Sequence, residues 1–273
     1  METLPPSKAV SCEAESTIEG LLCNLWAINR RKFAAWKRPA IDFRRLLERD
    51  YVRGLRRGLR YADVKSLVGA FAEIFPGFNQ RSVAMMDGED YRRIADRFGI
   101  HLKAVPYVEH NGMALRGFYV ADAPGYLKRP LIFVNTAHHQ IAAGSSFIHE
   151  LGHHVAKQRL GLPAGPVNYF FDADYSRHLS DCAELAADVT VSLAGYPGSV
   201  ARRIFSTPWN WGLVARAANL TGDAFAEVRL HLKKSYGFDL QVEELPQEQR
   251  LRYLAGMIHY AKLRWALLAE YDL

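Results

Sequence analysis

The sequence predicts an α+β fold, mostly helical, in which a small mixed sheet packs on one central helix between helical N- and C-terminal regions. Three observations carry this expectation. Apolar residues recur at three- and four-residue steps through most of the chain. Three short strand-like runs, 101–105, 116–120 and 131–135, interrupt that pattern in the middle. The composition, 49% hydrophobic and 23% charged over 273 residues, is that of a globular chain able to bury a sizeable core.

Taken in order, residues 1–16 read as a flexible, polar, proline-containing leader. A basic helical region follows over 17–87. Leu21, Leu22, Leu25 and Ile28 share one helix face there, and breaks are expected near Pro39 and at Gly54 and Gly58. An apolar helix over 64–75 stops at Pro76-Gly77, and an amphipathic one over 89–98 is closed by Gly99. The core is expected over 88–200. Its strands are separated by turns at Asn111-Gly112 and Ala123-Pro124-Gly125. Helices are expected over 146–160, 181–193, 200–205 and 211–232, with a last one over 247–268. Residues 201–273 thus form a helical C-terminal region.

Charge and cysteine usage narrow the function classes. Residues 30–60 hold twelve Lys or Arg against three acids, a net of +9 where the whole chain is +6, so the remainder is net −3. The basic character belongs to one segment. No run approaches the roughly 18 apolar residues of a membrane span, and the N-terminus has no secretory pattern. Cys12, Cys23 and Cys182 are scattered, which fits free thiols in a reducing cytoplasm and offers no Cys-x-x-Cys zinc knuckle.

The chemistry lies in His149-Glu150-Leu151-Gly152-His153. Residues four apart in a helix share a face, so His149 and His153 can present two imidazole nitrogens to one Zn2+ ion. Glu150 is one step round, where it can act as general base on a metal-bound water without being a ligand. Catalytic zinc usually has three protein ligands. A third histidine six residues after the second is excluded, because Ala156 and Arg159 stand at the matching positions. The alternative is a glutamate on a following helix, and Glu184 stands there on an otherwise apolar stretch. Asp188, one turn further on, is placed to accept a hydrogen bond from a ligand histidine.

These segments resemble the ImmA/IrrE-type metallopeptidases. That family has a His-Glu-Leu-Gly-His helix, then a glutamate three residues before an Ala-Asn pair on a helix that ends near a proline. Here Glu184, Ala187 and Pro197 take those positions, and Asp188 stands where asparagine is usual. The strand ending in Val134-Asn135 is similar to the family's edge strand, whereas Gly144-Ser145-Ser146 replaces the usual Arg-Phe pair ahead of the helix. The resemblance covers roughly residues 88–200. It implies a gluzincin-like fold with the sheet packed on a zincin-like active-site helix. It further implies cleavage of a protein substrate, often a bacterial transcriptional repressor, in stress response or in induction of mobile elements.

Other residues could contribute. His138 and His139 precede the motif helix and could line the cleft, or form an exposed loop. Tyr169, Tyr175, Arg177, His178 and Tyr196 are all candidates for substrate contact or for donating to the oxyanion. In residues 30–60, Phe33, Trp36, Phe43 and Tyr51 are interleaved with basic residues, which could bind nucleic acid. A solvated face, or a surface docking an acidic partner, is favoured over that. A helix-turn-helix flavour around Thr221-Gly222-Asp223 is weak. The leading expectation is therefore a cytoplasmic zinc metallopeptidase that binds a substrate strand along 131–135. The alternatives are a DNA-binding regulator with a structural or vestigial zinc site, and a zinc hydrolase of non-peptide amides.

Overall fold

Aspartates set several of the helix starts. After α1 (Phe43–Glu48), Asp50 accepts a hydrogen bond from the Arg53 amide at 2.9 Å and opens α2 (Tyr51–Gly58), which leads into α3 (Tyr61–Ile74). Asp87 opens α4 (Gly88–Arg97) with a reciprocal capping box: it accepts from the Glu89 and Asp90 amides while Asp90 accepts from its own. Gly99 closes that helix, as expected. In the computed structural model the described residues are 43–74, 87–106, 115–121, 129–138, 140–163, 168–171, 179, 181–195, 226, 230, 233–234 and 247–272. The leader, the Leu21 to Ile28 face, the breaks at Pro39 and Pro76, both turns between strands, the helix 200–205, Thr221 to Asp223 and most of 211–232 lie outside them.

The sheet comprises β1 (His101–Val105), β2 (Leu115–Val120), β3 (Leu131–Asn135) and β4 (Asn168–Phe171), in the order β1-β3-β2-β4. β1 runs parallel to β3, and the other pairs are antiparallel, so the sheet is mixed. All five residues of β3 are buried, as befits a strand paired on both sides. This corrects one expectation. Residues 131–135 are a central strand, with backbone groups engaged by β1 and β2, and so cannot serve as the edge that a substrate strand would join. β4, which the sequence reading did not anticipate, is an edge among the described strands, as is β1.

Two helices build the centre. α5 (Gln140–Leu160) buries Phe147, Ile148, Leu151 and Val155. It starts six residues before the expected 146. Gly144, Ser145 and Ser146 are therefore helical rather than a lead-in, and the Ser146 hydroxyl donates to the Ala142 carbonyl at 2.8 Å. α6 (Cys182–Gly195) is buried continuously from Leu185 to Ala194, the mark of a helix enclosed by neighbours. Those neighbours are α2, α3, α5 and α7 (Gln247–Tyr271). Gly54 lies within α2 and does not break it. The architecture is thus α+β and mostly helical, with N- and C-terminal helices and the sheet sharing one core. No described helix is long and apolar enough to cross a membrane.

Candidate metal centre

Close approach of α5 and α6 creates the site, and Gly152 makes that approach possible. A Cβ at this position would fall on Thr190 Oγ1, 2.7 Å from Ala187 Cα and 3.1 Å from the Ala187 carbonyl. With hydrogen there, α6 lies flat against the His149–His153 face of α5. Asp181 caps α6 by accepting from the Ala183 and Glu184 amides, which fixes the first turn and Glu184 with it.

The result is a convergent donor set. His149 Nε2 lies 3.2 Å from both His153 Nε2 and Glu184 Oε2, and Glu184 Oε1 is 3.6 Å from His153 Nε2. The ligand atoms of these three residues all lie within 4.8 Å of one another and could hold a metal ion. Both imidazoles are buried, while the Glu184 side chain keeps 24% of its exposure. Burial works against a charge on His149, yet hydrogen bonds to Asp188 and Glu184 outweigh it and hold its pKa up at about 10. A pocket that retains a proton so firmly favours positive charge, and a metal cation answers the same field.

Glu150 faces the sheet side of this cluster. It is fully buried, and among the described residues neither carboxyl oxygen has a hydrogen-bond partner. Burial lifts its pKa well above the carboxylate range; the His149 charge opposes this and Glu184 adds to it. The Tyr119 amide favours the charged form only slightly and falls outside hydrogen-bonding geometry. A buried carboxyl with idle lone pairs fits a water carried by an ion on the neighbouring ligands. Gly117 of β2 leaves room for it: a Cβ there would lie 3.4 Å from Glu150 Cγ and 2.9 Å from the Phe133 carbonyl.

Asp188 stands where the spacing put it. Its Oδ1 accepts from His149 Nδ1 at 3.1 Å, which turns His149 Nε2 toward the donor set. Its Oδ2 accepts from His259 Nε2 of α7 at 2.8 Å, and His259 Nδ1 in turn meets the Tyr51 hydroxyl at 3.0 Å. The sequence reading missed His259 and Tyr51. The available signal was a histidine interrupting the buried stripe of Leu254, Ile258 and Leu263.

Other expected residues stay apart from the cluster or lie beyond description. His154 points away from it, bonded through Nδ1 to the Tyr119 hydroxyl at 3.0 Å, with burial pushing its pKa down to about 4. His138 is half-buried in the turn between β3 and α5 and is not part of the donor set. Tyr169 lies on β4, paired with Phe118. His139, Tyr175, Arg177, His178 and Tyr196 fall outside the described residues. No family model, characterised protein or solved structure matches the chain.

Proposed function

We propose that the chain is a zinc-dependent metalloendopeptidase of the ImmA/IrrE type, cutting a protein substrate such as a bacterial transcriptional repressor. One observation carries this reading: a buried Glu150 carboxyl, without a hydrogen-bond partner among the described residues, stands beside a three-residue donor set of two histidines and one carboxylate. A structural zinc site closes all four positions with protein ligands and needs no base beside them. His149, His153 and Glu184 would hold the ion, and nitrogen and oxygen donors of this kind suit zinc. When bound, zinc supplies Lewis acidity that lowers the pKa of a water and stabilises charge developing on a carbonyl oxygen. Glu150 accepts the proton of the attacking water and passes it to the leaving amine. An extended substrate would add to β4, the edge of the sheet that packs on α5, rather than to β3. A cytoplasmic setting suits the scattered cysteines, of which Cys182 is a free, exposed thiol.

The alternative, a nucleic-acid-binding regulator, draws on the basic segment 30–60. Within its described part, Tyr51 and Leu55 are buried. Arg56 pairs with Glu270 through two 2.7 Å bonds, and Arg60 pairs with Asp63. Arg56 thus fastens α2 to α7, and Arg60 pairs locally at the start of α3. The test is metal analysis of wild type and Glu150→Gln, with a cleavage assay on candidate repressors. We expect one zinc per chain in both proteins and a cleavage rate about 10²- to 10⁴-fold lower in the variant. A wild type without stoichiometric metal, or a fully active Glu150→Gln, sinks the reading.

A further inference from the structure

The Asp188 carboxylate lies at the junction of two histidines from different parts of the chain. It is wholly buried, and a buried carboxylate is tolerable only when its oxygens are well supplied with donors. His149 supplies Oδ1 from Nδ1, and His259 supplies Oδ2 from Nε2. Each imidazole must therefore carry its proton on the nitrogen that faces Asp188. For His149 this leaves Nε2, which faces His153 and Glu184, as the nitrogen whose proton a bound ion would displace. For His259 in its neutral form it leaves Nδ1 as an acceptor, to which the Tyr51 hydroxyl at 3.0 Å donates. The hydrogen bonds from α2 through α7, and the one from the ligand face of α5, thus converge on the Asp188 carboxylate of α6.

We propose that His259 is a positioning residue of the metal centre, with Tyr51 as the group that fixes its tautomer. His259 is not one of the three residues of the donor set and reaches His149 through Asp188. It holds the Asp188 carboxylate in the rotamer that orients His149, so the C-terminal helix, through a residue 71 positions from Asp188, and α2, through a residue 208 positions from His259, are built into ion binding. This inference rests on His149 being a metal ligand, as the proposed function has it. Hydrogen-bonding partners outside the ligand set, His259 among them, typically contribute 10- to 100-fold in metal affinity, and Tyr51, one bond further out, contributes less.

The experiment uses the full chain, with Zn2+ affinity measured by competition against a chelating dye and Co2+ substitution read from visible absorption. His259→Leu should bind Zn2+ about 10- to 100-fold more weakly and shift the Co2+ bands, which report ligand geometry and not general packing. His259→Gln, whose amide nitrogen can still donate to Asp188, should restore affinity to within about fivefold of wild type. Tyr51→Phe keeps the ring and removes one oxygen. It should weaken binding about threefold and perturb the same bands. Wild-type affinity and spectrum in a folded His259→Leu overturn the proposal, as does a His259→Gln no better than His259→Leu. Should His259→Leu not fold, Tyr51→Phe decides: an unchanged affinity and spectrum reject the role. A wild type that binds no Zn2+ refutes the zinc reading and this inference together, whereas a binding wild type with insensitive variants refutes this inference alone.

Discussion

At the residue scale the centre depends on which side chains can only accept. Asp188, when ionised, offers lone pairs to His149 and His259 at once, and an asparagine of the same shape would not. Its amide nitrogen would face one of two histidines that are both required to donate. Asp188→Asn should therefore bind Zn2+ about 10- to 100-fold more weakly than wild type in the dye competition. Affinity unchanged from wild type would mean that one of the histidines can reverse its tautomer without loss. His149, Glu150, His153, Glu184 and Asp188 were all legible in the sequence because each pair lies on one helix at a spacing that encodes a shared face. Their convergence across α5 and α6 was an expectation that the geometry meets. His259, Tyr51 and Gly117 were not legible, since each reaches the centre only through tertiary contact, and a lone histidine in a buried stripe carries no address.

At the element scale the decisive contact is the flat packing of α6 on α5. The fold class and the middle strands followed from periodicity, while several boundaries did not. Gly144-Ser145-Ser146 carry residues that favour breaks, yet the Ser146 hydroxyl finds an acceptor within the helix, and the buried neighbours Ala143 and Phe147 hold the turn in place. The central position of β3 depends on β1 returning to pair with it in parallel, a long-range choice that a five-residue apolar run cannot announce. β4 has only four residues and is formed by pairing with β2 across a bulge, so its own pattern is too short to read. Gly152, by contrast, is part of the motif and has a purely steric reason to be there. Gly152→Ala must separate the helices at Ala187 and Thr190, in a core with no slack to absorb a methyl group. We expect a loss of about 1–3 kcal/mol in denaturant unfolding, together with weaker Zn2+ binding as Glu184 withdraws from His149 and His153. A variant as stable as wild type and with its full affinity would show that the helices are not in contact here.

At the scale of the whole molecule, the N- and C-terminal helices clasp each other around α6. Lys262 of α7 donates to the carbonyls of Leu46, Leu47 and Arg49, the last of which lies just beyond the end of α1, and its ammonium lies 5.1 Å above the Tyr51 ring. The Arg56–Glu270 pair fastens the C-terminal end of α7 to α2. Because α1 and α2 belong to the basic segment, part of that segment's role is docking, which its charge alone did not reveal. The clasp has a titratable element. Burial, aided by the nearby Arg49 charge and opposed by Asp50, pushes the Lys262 pKa down to about 8, against an ordinary value of 10.5. Between those two values the unfolded chain holds a proton that the folded protein has released, so folding becomes more favourable as pH rises through the window. The burial cost of the charged amine is present in full below pH 8 and gone above pH 10.5. Lys262→Met removes this term along with the three hydrogen bonds. The difference in unfolding free energy, wild type minus Lys262→Met, should therefore increase from pH 8 to pH 10.5, measured by denaturant titration at fixed ionic strength. A difference that stays flat or declines over that range would mean that the amine remains solvated and that the clasp around α6 is looser than its hydrogen bonds imply.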